Sequence, residues 1–251
     1  MNYYDLLMTY ATTHSDLLQE AVTVAARHRV RDFVASIDPK YQMLWFHRRI
    51  SEALERLESG DVKRLMVFMP PQHGKSQLTT RFFPAWAIGK NPNRRIAVAS
   101  YSATVARRFN RDVKRIIASD AYAEVFPEVS LPGPTSSYAN TADLVEIPNH
   151  NGSLYFVGRG GSLTSMSVDL GIIDDPLKDR KEAMSPVILE ALWAWYTDVF
   201  ASRILDTGRQ VLIQTRWSED DLAGRLLKQD GHFSADNPSG WVVISFPALR
   251  T

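Results

Sequence analysis

Hydrophobic positions along the chain follow two rhythms. From about residue 3 to 35 and from about 41 to 59 they recur at helical spacing, with Leu44, Ile50, Ala53, Leu54 and Leu57 on one face and Gly60 as a stop. Further on the pattern changes to short β-rich runs separated by amphipathic stretches. The runs are RLMVFM (64–69), RIAVAS (95–100), VDLGIID (168–174), RQVLIQ (209–214) and WVVISF (241–246). They read as strands covered on both faces, because apolar residues are not confined to alternate positions. Helical patterns over 75–88, 102–118, 184–205 and 219–229 follow most of them, an order that predicts a parallel sheet sandwiched by helices. LVEI (144–147) and SLYFVG (153–158) flank PNHNG and predict a hairpin, preceded by the loop LPGPTSSYANT (131–141). There is no internal repeat and no low-complexity tract.

Composition narrows the reading. At 251 residues and 45% hydrophobic, the chain can bury one large α/β core or two small ones and is too apolar for disorder. One main domain, residues 61–251, with a helical appendage over 1–60 is expected. Without cysteine there are no disulfides, no thiolate catalysis and no Cys-based zinc site. A formal net charge of +1 means that affinity for a polyanion has to come from a local arrangement of charge. The N-terminus carries Asp5, His14, Asp16 and Glu20 and has no uninterrupted apolar core, unlike a signal peptide. No apolar run approaches the ~18 residues of a membrane span, so a soluble intracellular protein without a membrane partner is expected.

Candidate chemistry lies at the strand ends. MPPQHGKS, Met69–Ser76, leaves an apolar run and enters a helical pattern near Lys75. N–H groups at a helix N-terminus attract phosphate oxygens, and Gly74 lets the main chain approach them. Lys75 reaches β- and γ-phosphates, and the Ser76 hydroxyl ligates Mg²⁺. Pro71, Gln72, His73, Gly74, Lys75, Ser76 and Gln77 are therefore expected to line a site for ATP. Met69 replaces the first glycine of the strict GxxxxGK[ST] pattern, and an ordinary helix cap is the plainer alternative. VDLGIIDDP ends an apolar run in two acids: Asp174 would hold the water shell of Mg²⁺, and Asp175 would be the general base. The plainer alternative here is an Asp-Asp-Pro turn. In RQVLIQTRWSEDDLAGRLL (209–227), Thr215 or Gln214 could sense the γ-phosphate and Arg216 could meet its charge, or Ser218 could simply cap the next helix.

Together PPxHGKS, IIDDP and TRWxxDDLAGR resemble the large terminase subunits of tailed bacteriophages, over roughly residues 40–250. The resemblance implies the packaging ATPase domain of a terminase large subunit. Its fold class would be α/β, a P-loop NTPase of RecA/ASCE type: a parallel-core sheet flanked by helices, with an N-terminal helical appendage. It assigns catalytic roles to Lys75, Asp175 and Thr215, metal contacts to Ser76 and Asp174, and places Phe46 and His47, beside Trp45, near the adenine. Arginines that the family often carries inside the phosphate loop and before the acids are here replaced by Pro71 and Gln72, and by Met166. Arg159 is then the first candidate for a finger supplied to a neighbouring subunit, with Arg203 and Arg216 behind it. The implied partners are double-stranded DNA, a portal protein and a small terminase subunit. A homo-oligomeric ring when assembled, a monomer in isolation and the host cytoplasm are further implications. Full-length relatives continue into a nuclease domain for which this chain has no room, so no nuclease activity is expected.

The helix RRFNRDVKR (107–115) gathers Arg107, Arg108, Arg111, Lys114 and Arg115 on one face, either to track DNA phosphates or as a solvated face. Two other functions compete. A RecA-like helicase would need a second lobe, and a nucleotide-binding docking module would not need Asp175 beside Asp174.

Overall fold

In the computed structural model, residues 3–163 and 166–246 are described, with side chains from residue 15 onward. Thr164 and Ser165 of the LTSMSVD segment, the closing PALRT and the side chains of Asp5 and His14 lie outside these. The chain opens with three helices, α1 (Tyr3–His28), α2 (Val30–Ile37) and α3 (Trp45–Ser59), and enters β1 (Arg64–Phe68). A π-helical segment, Gln77–Phe82, runs into α4 (Phe83–Lys90), followed by β2 (Arg95–Ser100), α5 (Ala103–Ile117) and α6 (Asp120–Val125). Then come β3 (Leu144–Glu146), β4 (Ser153–Gly158), β5 (Val168–Asp174), α7 (Arg180–Ala183) and α8 (Pro186–Trp195). β6 (Ile204–Gln214), α9 (Leu222–Asp230) and β7 (Val242–Ser245) complete it.

The strands form one sheet in the order β3-β4-β2-β5-β6-β1-β7. Every pairing is parallel except β3 with β4, the predicted hairpin. Register brings Ser100, Asp174 and Ile213 level across β2, β5 and β6, and Phe68 level with Gln214, so the C-terminal ends of these strands form one rim. Both faces are covered. Leu65, Val67, Val98, Ile172 and Ile213 point into a core shared with α2, α3 and α4, whereas Met66, Phe68, Ala99, Ile173 and Leu212 meet Trp195, Phe200, Leu222 and Trp241. That two-sided burial is why the strand runs are continuously apolar. Among the described residues no helix is long and apolar enough to cross a membrane.

Several boundaries depart from the pattern. The stretch 75–88 starts as a π-helix: the Thr79 hydroxyl donates to the Lys75 carbonyl at 2.7 Å, and Pro84 has no N–H to return to the helix. The stretch 184–205 is α-helical only to Trp195, passes through π and 3₁₀ turns, and from Ile204 already belongs to β6, whose first residue pairs with Val168. Ser218 is not a helix cap. The α9 cap is the fully buried Asp221, which accepts from the Gly224 N–H at 3.0 Å, while the Ser218 hydroxyl accepts from Asp220 N–H.

The join of α1 to α2 shows how the first helices are fastened to the sheet layer. At the break around Arg29 the Val30 N–H turns to Glu55 of α3 at 2.8 Å. The Ala26 carbonyl accepts instead from the indole of the buried Trp86 at 3.0 Å. Burial pushes the Glu55 carboxyl above its usual range, and the bond from Val30 opposes this. Trp86→Phe keeps most of the buried area but orphans the Ala26 carbonyl, so it is expected to cost about 1–3 kcal/mol, read as a lowered chemical-denaturation midpoint with unchanged slope.

Candidate active site

The segment after β1 is built to expose its backbone. Gln72 and Gly74 have φ of 65° and 77°, a sharp reversal that ends at the first helical turn, where Leu78 N–H reaches the Gly74 carbonyl at 3.1 Å. N–H groups in that first turn have no helical acceptor, which makes the loop a concave donor surface. The His73 imidazole donates to Pro71 O at 2.8 Å, tightening the turn. His47 Nε2–H donates to the His73 carbonyl at 2.8 Å, while Nδ1 accepts from Leu44 N–H at 3.2 Å. A Cβ on Gly74 would stand 2.7 Å from His47 Nε2 and 3.2 Å from the Tyr41 hydroxyl. His47 thus buttresses the loop from beneath, and it is buried like Phe46; Trp45, by contrast, is 57% exposed.

Loop and acids converge on one point. Ser76 Oγ donates to Asp174 Oδ1 at 3.0 Å, Thr80 Oγ1 donates to Asp174 Oδ2 at 2.6 Å, and Lys75 Nζ lies 2.7 Å from Asp175 Oδ2. Asp175 sits at φ 43°, its N–H donating to the Ile213 carbonyl at 2.8 Å, and its Oδ1 accepts from Thr215 N–H at 2.9 Å. Thr215 Oγ1 reaches back to the Met69 carbonyl at 3.4 Å. Three strand ends are therefore joined by side chains: β1 through Lys75 and Ser76, β5 through both acids, and β6 through Thr215. Gln214 is buried beside them, and among the described residues its Oε1 has no partner. Thr80 was not singled out from sequence. Its signal is position, four residues beyond Ser76 and so on the same helical side.

Asp174 is 1% exposed. Burial first, and the neighbouring Asp175 second, push its carboxyl up to about 6, against the pull of the Thr80 and Ser76 hydroxyls and Lys75. A divalent cation fits this spot: two oxygens 3.0 Å apart match adjacent ligands of an octahedral Mg²⁺ with bonds of ~2.1 Å. Among the described residues no group of three or more His, Asp or Glu side chains could hold a metal alone, so phosphate and water would supply the other ligands. Beside the loop a cavity of about 400 Å³ is bounded by Tyr41, Gln42, Phe46, His47, His73 and Gln77. Burial pushes the Tyr41 hydroxyl up to about 12, and that buried hydroxyl has no partner among the described residues.

Two of the three arginine candidates, Arg159 and Arg216, are held within the chain. Arg159 donates to both carboxylate oxygens of Glu182 at 2.8 and 3.2 Å and to the Pro176 carbonyl at 3.1 Å, bracing the turn after the two acids. Arg216 pairs with Asp221 at 2.8 Å and lies over the Phe68 ring. Arg203 has a buried Nε without a partner among the described residues. On α5, Arg107 forks onto Asp143, Lys114 donates to Thr141 O, and Arg115 and Arg81 share Asp112, leaving Arg108 and Arg111 as its freely exposed cations.

A mostly parallel sheet with a phosphate-type loop after β1 and paired acids ending β5 defines an α/β protein of the P-loop, RecA-like class. The sequence model of the family described as terminase large subunit, T4likevirus-type, N-terminal, matches residues 66–221, and the chain belongs to that family. Among solved structures it is similar to the large terminase of bacteriophage HK97, at 13% identity and a TM-score of 0.57 over 84% of this chain. It spans 40% of that protein's length. It is also similar, at a TM-score of 0.46, to the large terminase ATPase domain of Thermus phage P74-26, with 14% identity over 74% of this chain and 76% of that one. A likeness to the large terminase of a thermophilic bacteriophage, in complex with ADP, has 11% identity and a TM-score of 0.44 over 77% and 44% of the two chains. No curated protein matches.

Two outcomes test this geometry. Gly74→Ala puts a methyl group into the His47 ring at a φ unsuited to it, so the variant should lose about 1–2 kcal/mol of stability, read by thermal melting. Asp174 rises from an ordinary 3.8 to about 6 on folding, so between these values the native state binds more protons than the unfolded one. Its contribution to the ligand-free protein is therefore favourable below that window and lost as pH rises through about 6. Melting temperature should fall over this interval in the parent and flatten in Asp174→Asn.

Proposed function

We propose that the chain is the ATP-hydrolysing motor domain of a viral DNA-packaging terminase, coupling hydrolysis to translocation of double-stranded DNA. The single observation that supports this reading is the meeting of Lys75 and Ser76 with Asp174 and Asp175 at one rim of the sheet. Pro71, Gln72, His73, Gly74 and Gln77 shape the loop that receives the phosphates, and Phe46 and His47 bound the adjoining cavity on the side proposed for the base. Ser76 and Asp174 would hold Mg²⁺, which supplies charge neutralisation at the phosphates when bound. Lys75 leaves Asp175 for the β- and γ-phosphates, which releases the Asp175 carboxylate to accept a proton from the attacking water. Thr215, hydrogen-bonded through its N–H to Asp175, carries the state of that carboxylate into β6 and the turn before α9.

The proposed partners are the duplex, a portal protein, a small terminase subunit and further copies of the chain in a ring, in the host cytoplasm. Residues 1–60 serve as an appendage of the core at 61–251. If Arg159 acts on a neighbour's phosphates, its fork on Glu182 has to open first.

Asp175→Asn keeps an acceptor for Thr215 N–H but removes the base. Hydrolysis measured by phosphate release should drop about 10²–10⁴-fold, with nucleotide affinity retained within a few-fold. Undiminished turnover would remove Asp175 from the role of base, and a parent protein that binds no nucleotide would end the motor reading.

A further inference from the structure

At the opposite end of the sheet, where β2, β5 and β6 begin, lies a cavity of about 650 Å³, larger than the one beside the phosphate loop. Three guanidinium groups meet there. Arg94 is paired with Glu58, both buried. Arg95 reaches the two oxygens of Asp169 at 3.0 and 3.3 Å, and its main-chain N–H adds a third bond at 2.9 Å. Those two carboxylates are thereby committed. Arg209, the third, is half-buried and among the described residues has neither a hydrogen-bond acceptor nor a carboxylate within ion-pair distance. Burial, and then the charge of Arg94, push its pKa below the ordinary guanidinium value, against the opposing pull of Glu58 and Asp169, whose carboxylates are already paired with Arg94 and Arg95.

The amides around it are oriented by the main chain. Asn91 Oδ1 accepts from Asn93 N–H at 3.1 Å, and Asn93 Oδ1 accepts from Asn151 N–H at 3.0 Å. With both oxygens engaged, each side chain is left with its NH₂ group as a donor. The wall holding them is rigid: Ser153 N–H donates to the Arg94 carbonyl at 3.0 Å, and a Cβ on Gly152 would lie 2.1 Å from the Pro92 carbonyl oxygen. The Asp169 carboxylate and the Asn91 and Asn93 amide oxygens are engaged, and the cavity presents the Arg209 guanidinium and the Asn91 and Asn93 NH₂ groups as donors. Donors spread over a strand and a turn suit an oxyanion with oxygens in several directions better than a planar carboxylate.

We propose that this cavity is a second anion site, in which Arg209, Asn91 and Asn93 bind a phosphate group at the sheet end away from the candidate active site. Free phosphate and the phosphodiester backbone of a nucleic acid present the same chemistry, and two arms of one experiment separate them. Inorganic phosphate is titrated into the ¹⁵N-labelled full chain while the Arg209 Nε–H and the Asn91 and Asn93 amide signals are followed, with sodium chloride at matched ionic strength as control. Saturable shifts at these signals are expected with phosphate and not with chloride. Asn93→Asp retains the acceptor for Asn151 N–H but places a carboxylate in the cavity, and should weaken phosphate binding about tenfold or more. Binding of a labelled short duplex is measured in parallel. A backbone phosphate as ligand predicts that Arg209→Gln weakens duplex binding and lowers its salt slope by about one. Duplex binding unchanged in Arg209→Gln, with the phosphate response present in the parent, assigns the site to free phosphate. If no saturable shift appears at Arg209 or the two amides, or if folded Asn93→Asp and Arg209→Gln proteins bind phosphate like the parent, the proposal is overturned.

Discussion

A buried carboxylate is the constraint around which this molecule is arranged. Asp174 lies at the end of a strand enclosed on both faces, where an ionised group is costly unless it is hydrogen-bonded. Its two oxygens are met by the Ser76 and Thr80 hydroxyls from a single helical start, and the Lys75 charge stands one residue away on Asp175. Take away the loop after β1 and Asp174 is left as an uncompensated charge. Take away Asp174 and the helix start loses what anchors it.

That pairing explains the strand order. β1 and β5 are not neighbours; β6 lies between them, so the loop has to lean across the β6 tip to reach the acids. Thr215, the residue just past that tip, binds both sides, through its N–H to Asp175 and its hydroxyl to the Met69 carbonyl. The interposed strand therefore feels both halves of the site. Under the proposed function, this is the route by which a change at Asp175 reaches the turn before α9, where Arg216 and the buried Asp221 hold the next element.

Charge elsewhere on the surface is largely spent on internal fastening. On α5, Arg107 and Lys114 secure the loop at 141–143 and Asp112 holds Arg81 of the π-helical segment, and Arg159 braces the turn after Pro176 through Glu182. In contrast, the N-terminal end of the sheet keeps one half-buried guanidinium that has no acceptor among the described residues. A residue type marks where charge can be; only its neighbours determine whether it is available.

The sequence by itself determined the layers and the chemistry at the strand ends. Continuous apolar runs, amphipathic stretches between them and the GKS and DDP tips sufficed for a two-sided parallel sheet with polar groups along one rim, because burial on both faces and turn chemistry are local signals. Boundaries were less legible where tertiary contact overrides local pattern: β6 begins at Ile204 because Val168 is there to pair with it, and α9 is capped by Asp221 because a cap needs an N–H three residues on. Tertiary structure alone decided that Thr80 binds Asp174, that Trp45 faces solvent while Phe46 and His47 are buried, and that Arg159 is tied to Glu182. Each of these depends on which groups meet across tens of residues, and residue spacing along a chain carries no information about such meetings until the sheet order is set.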